Sequence, residues 1–332
     1  LTVNTSITNN GTIILESDSN EFATLISKAS STTITYKRFV NHATADEWDL
    51  IGSPVDDLSI SSFATTNTSG TATLETSSTQ YAIGVYDNSD DSWTNYTTGT
   101  VGGAGNFDIG KGYAMGSVSG GTGLMVFTGD IAVVDISRAI IAQNSGVNRW
   151  NLIANPFPSF INANDDAHAT NNFLTVNAAQ LHDTYEAVYG WDADTSGYTA
   201  YNHSSPGSAV YIAPGQGFMV ASDNTSSDDV SFTEKMQTVN GTDDFIDDVL
   251  NDVFEVLLRL YHENQEIAET HLYFENGLSL GLDPGYDAGA FDQNAALMTR
   301  LVEEDEGHGL AINAMSTESM DDVVIPLEIN QT

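Results

Sequence analysis

The chain contains one sequence pattern twice, about 105 residues apart. The segment Trp48–Pro54 (WDLIGSP) returns as Trp150–Pro156 (WNLIANP). Three shorter matches follow in the same order: Val85-Tyr86 with Val188-Tyr189, Gly110–Tyr113 with Gly215–Phe218, and Phe127-Thr128 with Phe232-Thr233. The four matches are offset by 102, 103, 105 and 105 residues. Ordered matches with a slowly growing offset predict two copies of one structural module.

A residue that is kept in both copies is more simply explained by folding than by a unique active site. We therefore expect Trp48 and Trp150 to be packed core residues, as is usual for a large aromatic side chain with apolar neighbours. The Gly-x-Gly-aromatic motifs at Gly110 and Gly215 lack the third glycine of a dinucleotide-binding motif. They predict tight turns that enter strands.

Short β-branched and aromatic runs separated by turn residues predict an all-β fold. The runs are Thr33–Tyr36, Leu124–Phe127, Ala209–Ile212 and Phe254–Leu260. The segment Asp243–Leu250 is either a short amphipathic turn of helix or a solvated acidic linker. We expect serial β-sandwich, jelly-roll-like domains, two of them a tandem duplication.

The chain has 332 residues, which predicts more than one domain. We divide it into an N-terminal β segment (1–35), repeat 1 (36–135), repeat 2 (136–239), an acidic linker (240–251) and a third β-sandwich domain (252–332). The N-terminal segment is either the end of a preceding domain or a donor strand that seeks the sheet edge of another copy. A start at Leu1 without an initiator Met favours a mature product or a fragment of a longer chain.

Charge and composition exclude several classes of function. Nine Lys and Arg against 46 Asp and Glu give a net charge of -37. This charge disfavours binding to nucleic acid or to an anionic membrane surface. Cysteine is absent, so disulfides and thiolate metal sites are impossible. No apolar stretch approaches the roughly 20 residues that span a bilayer, so we expect no membrane insertion.

Several segments resemble large secreted surface proteins of the Bacteroidetes. They are Trp150–Ser159, Ile212–Phe218 and Gly281–Gly289, and the opening 7–13 and the ending 322–327 also fit. Such proteins are typically cargo of the type IX secretion system and are often adhesin-like. The resemblance implies export across both membranes and an extracellular or outer cell-surface location. It implies no particular ligand.

Two groups of carboxylates are candidate calcium ligands. Asp192 and Asp194 begin like a calcium loop, but position 12 of that loop is His203 where a bidentate Glu belongs. Asp283 and Asp287 flank a Pro-Gly-Tyr turn that could add backbone carbonyls. Calcium is therefore the candidate cofactor, and ordinary turns between strands are the alternative.

Five aromatic residues that break the symmetry of the repeats are candidate carbohydrate-binding residues. They lie among Asp, Asn, Ser and Thr, a composition suited to stacking on sugar rings beside hydrogen-bonding groups. They are Trp93, Tyr96, Trp191, Tyr198 and Tyr201. The alternative is that they cover the face of a strand pair.

No catalytic constellation is evident, because a Gly-x-Ser-x-Gly elbow is absent and the segment His262–Glu266 lacks the second His of a zinc protease. We expect a non-enzymatic, adhesin-like structural protein of stacked β domains. Its expected partners are other copies of itself or neighbouring domains of a longer chain. The alternatives are a self-assembling filament subunit and a carbohydrate-binding module that recognises surface glycans.

Overall fold

The computed structural model describes most of the chain. The described residues are 1–8, 10–29, 31–41, 48–69, 73–192, 197–203, 208–243, 254–263, 265–275, 277–320 and 323–330. The predicted linker, at 240–251, lies mainly outside them.

The chain is mostly β, which confirms the predicted fold class. The elements of the N-terminal segment and repeat 1 are β1 (Thr2–Val3), β2 (Ile14–Glu16), β3 (Ile26–Ser27), β4 (Thr33–Phe39), β5 (Asp49–Ile51), α1 (Ile60–Asn67), β6 (Thr76–Ser77), β7 (Gln80–Asp87), β8 (Ser92–Thr97), β9 (Tyr113–Met115) and β10 (Leu124–Asp130). Those of repeat 2 are β11 (Ile136–Ile140), β12 (Trp150–Ala154), β13 (Phe160–Asn162), α2 (Phe173–Asn177), β14 (Val188–Asp192), β15 (Gly197–Tyr201), β16 (Tyr211–Ile212), β17 (Gly217–Ala221), β18 (Asp228–Phe232) and β19 (Gln237–Thr238). The third domain contains β20 (Phe254–His262), β21 (Gln265–Glu275), β22 (Ala288–Gly289), β23 (Leu297–Thr299), β24 (Leu310–Ser316) and β25 (Leu327–Ile329).

The sheets of the two repeats have the same topology, which confirms the tandem duplication. In repeat 1, β5 pairs with β9, β9 with β7, and β7 with β8; in repeat 2, β12 pairs with β17, β17 with β14, and β14 with β15. Each repeat also has a separate antiparallel strand pair, β4 with β10 in repeat 1 and β11 with β18 in repeat 2. In each repeat the sheet and this strand pair form two layers, and the apolar core lies between them.

A buried asparagine at the end of each helix joins helix α1 to strand β10 in repeat 1 and helix α2 to strand β18 in repeat 2. The Asn67 amide oxygen accepts from the Val126 N–H at 2.8 Å, and its amide nitrogen donates to the Val126 carbonyl at 3.2 Å. Asn177 makes the same two bonds to Ser231, at 2.7 and 3.1 Å. Each asparagine thus supplies the hydrogen bonds that a neighbouring strand would otherwise make.

The N-terminal segment lies on strands of its own chain. Strand β1 pairs parallel with β3, and β2 pairs parallel with β4 at the edge of the β10-β4-β2 sheet. The segment also contacts repeat 2, because the Leu25 N–H donates to the Pro158 carbonyl at 2.7 Å. The residues of the proposed donor strand are therefore paired within the chain. Donation of this strand to the sheet of another copy stays a prediction.

The predicted domain limits meet strands at several points. Strand β11 begins at Ile136 and β20 at Phe254, next to the predicted limits, whereas the limit after residue 35 falls inside β4. In the third domain the path β20-β21-β24-β23-β25 forms one sheet, with β22 also paired to β24. None of the described helices is long and apolar enough to cross a membrane.

The two repeats pack against each other through a reciprocal contact. Ile51 of repeat 1 forms a bridge with Gln216 of repeat 2, and Ile153 of repeat 2 forms a bridge with Lys111 of repeat 1. Ile51 corresponds to Ile153 in the repeated pattern, and Lys111 corresponds to Gln216. A contact in which each copy uses the same two positions is what a two-fold axis produces. The repeats are therefore related by an approximate two-fold axis.

The Gly-x-Gly motifs lie at this contact. Their first glycines have positive φ angles, 78° at Gly110 and 66° at Gly215, as tight turns require. Their second glycines lie against the other repeat: a Cβ on Gly112 would stand 2.6 Å from a side-chain atom of β12, and one on Gly217 would stand 2.7 Å from the backbone of β5. The predicted turns are present, and the second glycine of each also allows the close approach of the two repeats.

Candidate functional site

The strand register fixes how the hairpins β7–β8 and β14–β15 correspond. Ala114 and Met219 follow the two glycine motifs at the same distance, and they pair with Gly84 and Tyr189 respectively. Gly84 is therefore the counterpart of Tyr189, at an offset of 105 residues. The sequence match that equates Tyr86 with Tyr189 is wrong by two residues. A two-residue slip keeps the same sheet face, so alternation of apolar residues does not reveal it.

At the corrected offset the five candidate aromatics obey the repeat symmetry, so the expectation that they break it is wrong. The counterparts are Tyr86 and Trp191, Trp93 and Tyr198, and Tyr96 and Tyr201. Tyr86 lies opposite Trp93 across the strands of the first hairpin, and Trp191 lies opposite Tyr198 in the second. Each hairpin tip thus carries one Trp–Tyr pair.

Both Trp–Tyr pairs line one cleft, which we call the aromatic cleft. Its volume is about 590 Å³. It lies where repeat 1, repeat 2 and the third domain meet. The residues that line it are Trp48, Leu50, Tyr86, Asp91, Trp93, Asn95, Ala114, Trp191, Tyr198, Met219 and Phe291.

The aromatic rings of the cleft are packed in pairs. The ring centroids of Tyr86 and Trp93 are 5.1 Å apart, and those of Trp191 and Tyr198 are 5.0 Å apart. Phe291 of the third domain stacks on Tyr198 with centroids 3.9 Å apart and planes 22° apart. Trp93 remains 44 % exposed. The arrangement presents apolar ring surface at the solvent side of a preformed cleft.

Asp91 and Tyr86 form the polar group at the rim. The Tyr86 hydroxyl donates to the Asp91 carboxylate at 2.7 Å. Burial, this hydrogen bond and the Asp91 charge raise the pKa of Tyr86 well above its usual value. Burial and the Asp91 charge also raise the pKa of Tyr198. Both phenols are therefore neutral hydrogen-bonding groups at physiological pH.

The other two candidate aromatics are structural. Tyr96 packs against the core of repeat 1 and Tyr201 against the core of repeat 2, on the opposite sheet face from the cleft. For these two the alternative interpretation, that they cover the face of a strand pair, is supported. Trp48, Tyr86 and Phe291 complete the cleft and were not singled out from the sequence as ligand candidates. Tyr86 could be found from the sequence by aligning the two hairpins at an offset of 105, because that alignment matches Tyr86 with the candidate Trp191.

The repeated tryptophans have unequal surroundings, which corrects the expectation that both are core residues. Trp150 is half-buried, with its ring 4.3 Å from Phe291, 4.8 Å from Tyr189 and 5.4 Å from Tyr185. Trp48 is also half-buried, but it lines the open cleft. Trp150 is thus packed between repeat 2 and the third domain, whereas Trp48 faces the candidate site.

Asp283 and Asp287, two of the carboxylates proposed for calcium, accept backbone hydrogen bonds, Asp283 from the Ser279 N–H at 2.7 Å. Asp287 is buried, and its two oxygens accept the N–H groups of Ala314 and Asp283, each at 2.7 Å. Burial raises the pKa of Asp287 to about 7. Asp192 pairs through its backbone in β14, and Asp194 lies outside the described residues. Across the described part of the chain, no cluster of three or more His, Asp or Glu side chains is placed to hold a metal ion. Calcium binding stays a prediction.

Residues 1–332 match the family described as "Domain of unknown function (DUF8693)". Searches of curated proteins and of solved structures gave no significant match. The chain therefore belongs to the DUF8693 family.

Proposed function

We propose that the chain is a non-enzymatic, adhesin-like extracellular protein whose aromatic cleft binds a carbohydrate. The observation that carries the proposal is the convergence of two equivalent Trp–Tyr pairs, one from each hairpin tip, on a single cleft of about 590 Å³. A volume of this size is typical of small-ligand sites.

The chemistry of the lining favours a sugar over a purely apolar ligand. Aromatic rings offer flat apolar faces to the C–H face of a sugar ring. Asp91 and Asn95 stand beside these rings and can accept or donate hydrogen bonds to hydroxyl groups. A fully apolar ligand would shield from water the Asn95 amide and the Asp91 oxygen that Tyr86 does not bond, at a cost of about 1–3 kcal/mol each where they become buried.

The extracellular location rests on the resemblance of the chain to type IX secretion cargo. The absence of cysteine and the net charge of -37 are compatible with a soluble surface array, since like charges oppose self-association. The close packing of the three β units suits a rigid stalk that presents one cleft. Surface glycans are the partners that this arrangement fits best.

The test is glycan binding by the wild-type chain and by Trp93→Ala. A glycan array identifies ligands, and isothermal titration calorimetry measures their Kd. Trp93 is 44 % exposed, so its removal should leave the fold intact. We expect the affinity to fall at least about tenfold, which corresponds to about 1.4 kcal/mol.

Tyr261→Ala is the matched control, because Tyr261 is an exposed aromatic residue (55 %) of the third domain that does not line the cleft. It should bind glycans like the wild type. Saturable glycan binding that Trp93→Ala leaves unchanged would place the site elsewhere. A complete lack of glycan binding by the wild type would reject the proposed function.

A further inference from the structure

We infer that the ligand of the aromatic cleft carries positive charge, and that it is an oligosaccharide of amino sugars whose ammonium group pairs with Asp91. This inference rests on the proposed function, since it names the class of sugar that the cleft selects.

The first argument is the charge of the lining. Among the described residues that line the cleft, Asp91 is the only charged one, and none is Lys, Arg or His. Asp91 forms no salt bridge with any described residue. A ligand carboxylate or sulfate would face this carboxylate with no cation to offset the repulsion. Acidic sugars are therefore disfavoured.

The second argument is that the carboxylate is held in place. One oxygen of Asp91 accepts the hydrogen bond from the Tyr86 hydroxyl at 2.7 Å. The backbone of Asp91 has a φ of 55°, in the left-handed region that ends the tight turn between β7 and β8. A carboxylate fixed by a turn and a hydrogen bond pays little entropy on binding a ligand. Its position next to Trp93 places one negative charge beside the exposed ring.

The third argument is the combination of aromatic faces with a negative charge. A cation over the face of Trp or Tyr is attracted by the ring quadrupole. The cleft has two such pairs of rings. The field of a chain with net charge -37 acts in the same direction. An amino sugar satisfies all parts of the cleft, because its ring stacks, its hydroxyls hydrogen-bond and its ammonium pairs with Asp91.

The experiment compares three oligosaccharides of equal length and linkage by calorimetry. They are a glucosamine oligomer, an N-acetylglucosamine oligomer and a glucose oligomer, measured at a pH where the free amine is protonated. The proteins are the wild type, Asp91→Asn, Trp93→Ala and Asp229→Asn. Asp229 is exposed on β18, outside the cleft, and its change removes the same charge.

We expect the glucosamine oligomer to bind at least about tenfold more tightly than the neutral oligomers. Asp91→Asn should abolish this preference, and Asp229→Asn should keep it. Equal or tighter binding of the neutral oligomers would overturn the inference and leave the proposed function standing. If Asp91→Asn and Asp229→Asn lost equal affinity for the glucosamine oligomer, the inference would also be overturned, because the net charge alone would then explain the attraction. Binding of none of the three, with an empty glycan array, would instead reject the proposed function.

Discussion

The two repeats share one scaffold but carry residues of different size at two matching positions. Repeat 1 has Gly84 paired with Ala114, and repeat 2 has Tyr189 paired with Met219. Tyr189 is fully buried, and its hydroxyl donates to the carbonyl of Gly289 in the third domain at 2.9 Å. Large side chains therefore fill the face of repeat 2 and join it to the third domain, whereas small residues leave the face of repeat 1 open.

The open face is what makes the cleft. A Cβ on Gly84 would lie 3.0 Å from the amide oxygen of Asn95 and 3.5 Å from the Trp93 ring, so a larger residue there would displace the cleft wall. A duplicated module can thus use one pair of matching positions for packing in one copy and leave the same positions open to a ligand in the other. The two copies differ in the size of the residues at these two positions, whereas each keeps the same strand pairing and carries one Trp–Tyr pair at its hairpin tip.

The largest effect should separate the two repeated tryptophans. Trp150→Ala removes ring contacts with Tyr185, Tyr189 and Phe291, and we expect it to lower the free energy of unfolding by about 3–5 kcal/mol. Trp48→Ala should cost less, about 1–2 kcal/mol, because the Trp48 ring borders the open cleft. Chemical denaturation measures both. Equal losses of stability in the two variants would contradict the proposed difference between the packed face of repeat 2 and the open face of repeat 1.

The two-fold relation between the repeats predicts equal effects at the second glycines. Gly112→Ala and Gly217→Ala each place a Cβ within 2.7 Å of the other repeat, so each should destabilise the chain by about 1–3 kcal/mol. Denaturation midpoints of the two variants give the comparison. Gly102→Ala serves as the control, because a Cβ there meets nothing within 4 Å. A large effect at only one of the two motifs would break the symmetry.

The sequence predicts the fold class and the duplication because both depend on features that repeat along the chain. The WDLIGSP and WNLIANP segments and the two glycine motifs lie at one reciprocal contact between the repeats, so both copies keep their spacing. Helix α1 was not predicted, because ISSFATTN is short and its start depends on a cap: the Ser59 hydroxyl accepts from the Ser62 N–H at 3.4 Å. Short helices of this kind are stabilised by packing rather than by propensity.

The site was only partly predictable for a different reason. Trp93, Trp191 and Tyr198 were found from their polar neighbours, but their convergence depends on how the repeats pack. The slip at Tyr86 concealed the pairing, because Val-Tyr occurs in both hairpins by coincidence at the wrong offset. The contribution of Phe291 comes from the third domain, and nothing in the repeats indicates it.

The stability of the junction between repeat 2 and the third domain should depend on pH through His203. Burial disfavours the charged form of this imidazole, but hydrogen bonds to Glu186 at 2.9 Å and Asp165 at 3.1 Å raise the pKa of His203 above its usual 6.5. Its backbone N–H donates to the Gly285 carbonyl of the third domain at 2.8 Å. The charged ring therefore supports the junction that covers repeat 2.

A pKa that is raised on folding adds stability below the unfolded value and loses it as the pH rises through the folded value. The contribution of His203 to stability should thus be complete below about pH 6.5, its unfolded value, and be lost as the pH rises through the raised folded value. Thermal melts across this range measure the loss. His203→Gln should be less stable at low pH and should show a flatter profile. A variant profile as steep as that of the wild type would show that other groups cause the pH dependence.

The smallest effect on stability should come from a substitution that makes the open face of repeat 1 more like the covered face of repeat 2. Ala114→Met introduces the residue that repeat 2 carries at the matching position, Met219, and its side chain has cleft volume to enter. We expect the free energy of unfolding to change by less than about 1 kcal/mol, because the side chain fills empty space and displaces little packed structure. The affinity for the sugar should fall by about tenfold or more, because the methionine occupies the ligand's volume. Ala104→Met, in repeat 1 but outside the cleft, controls for the added side chain. If Ala114→Met bound sugar as tightly as the wild type, the small residues of repeat 1 would not be what opens the site.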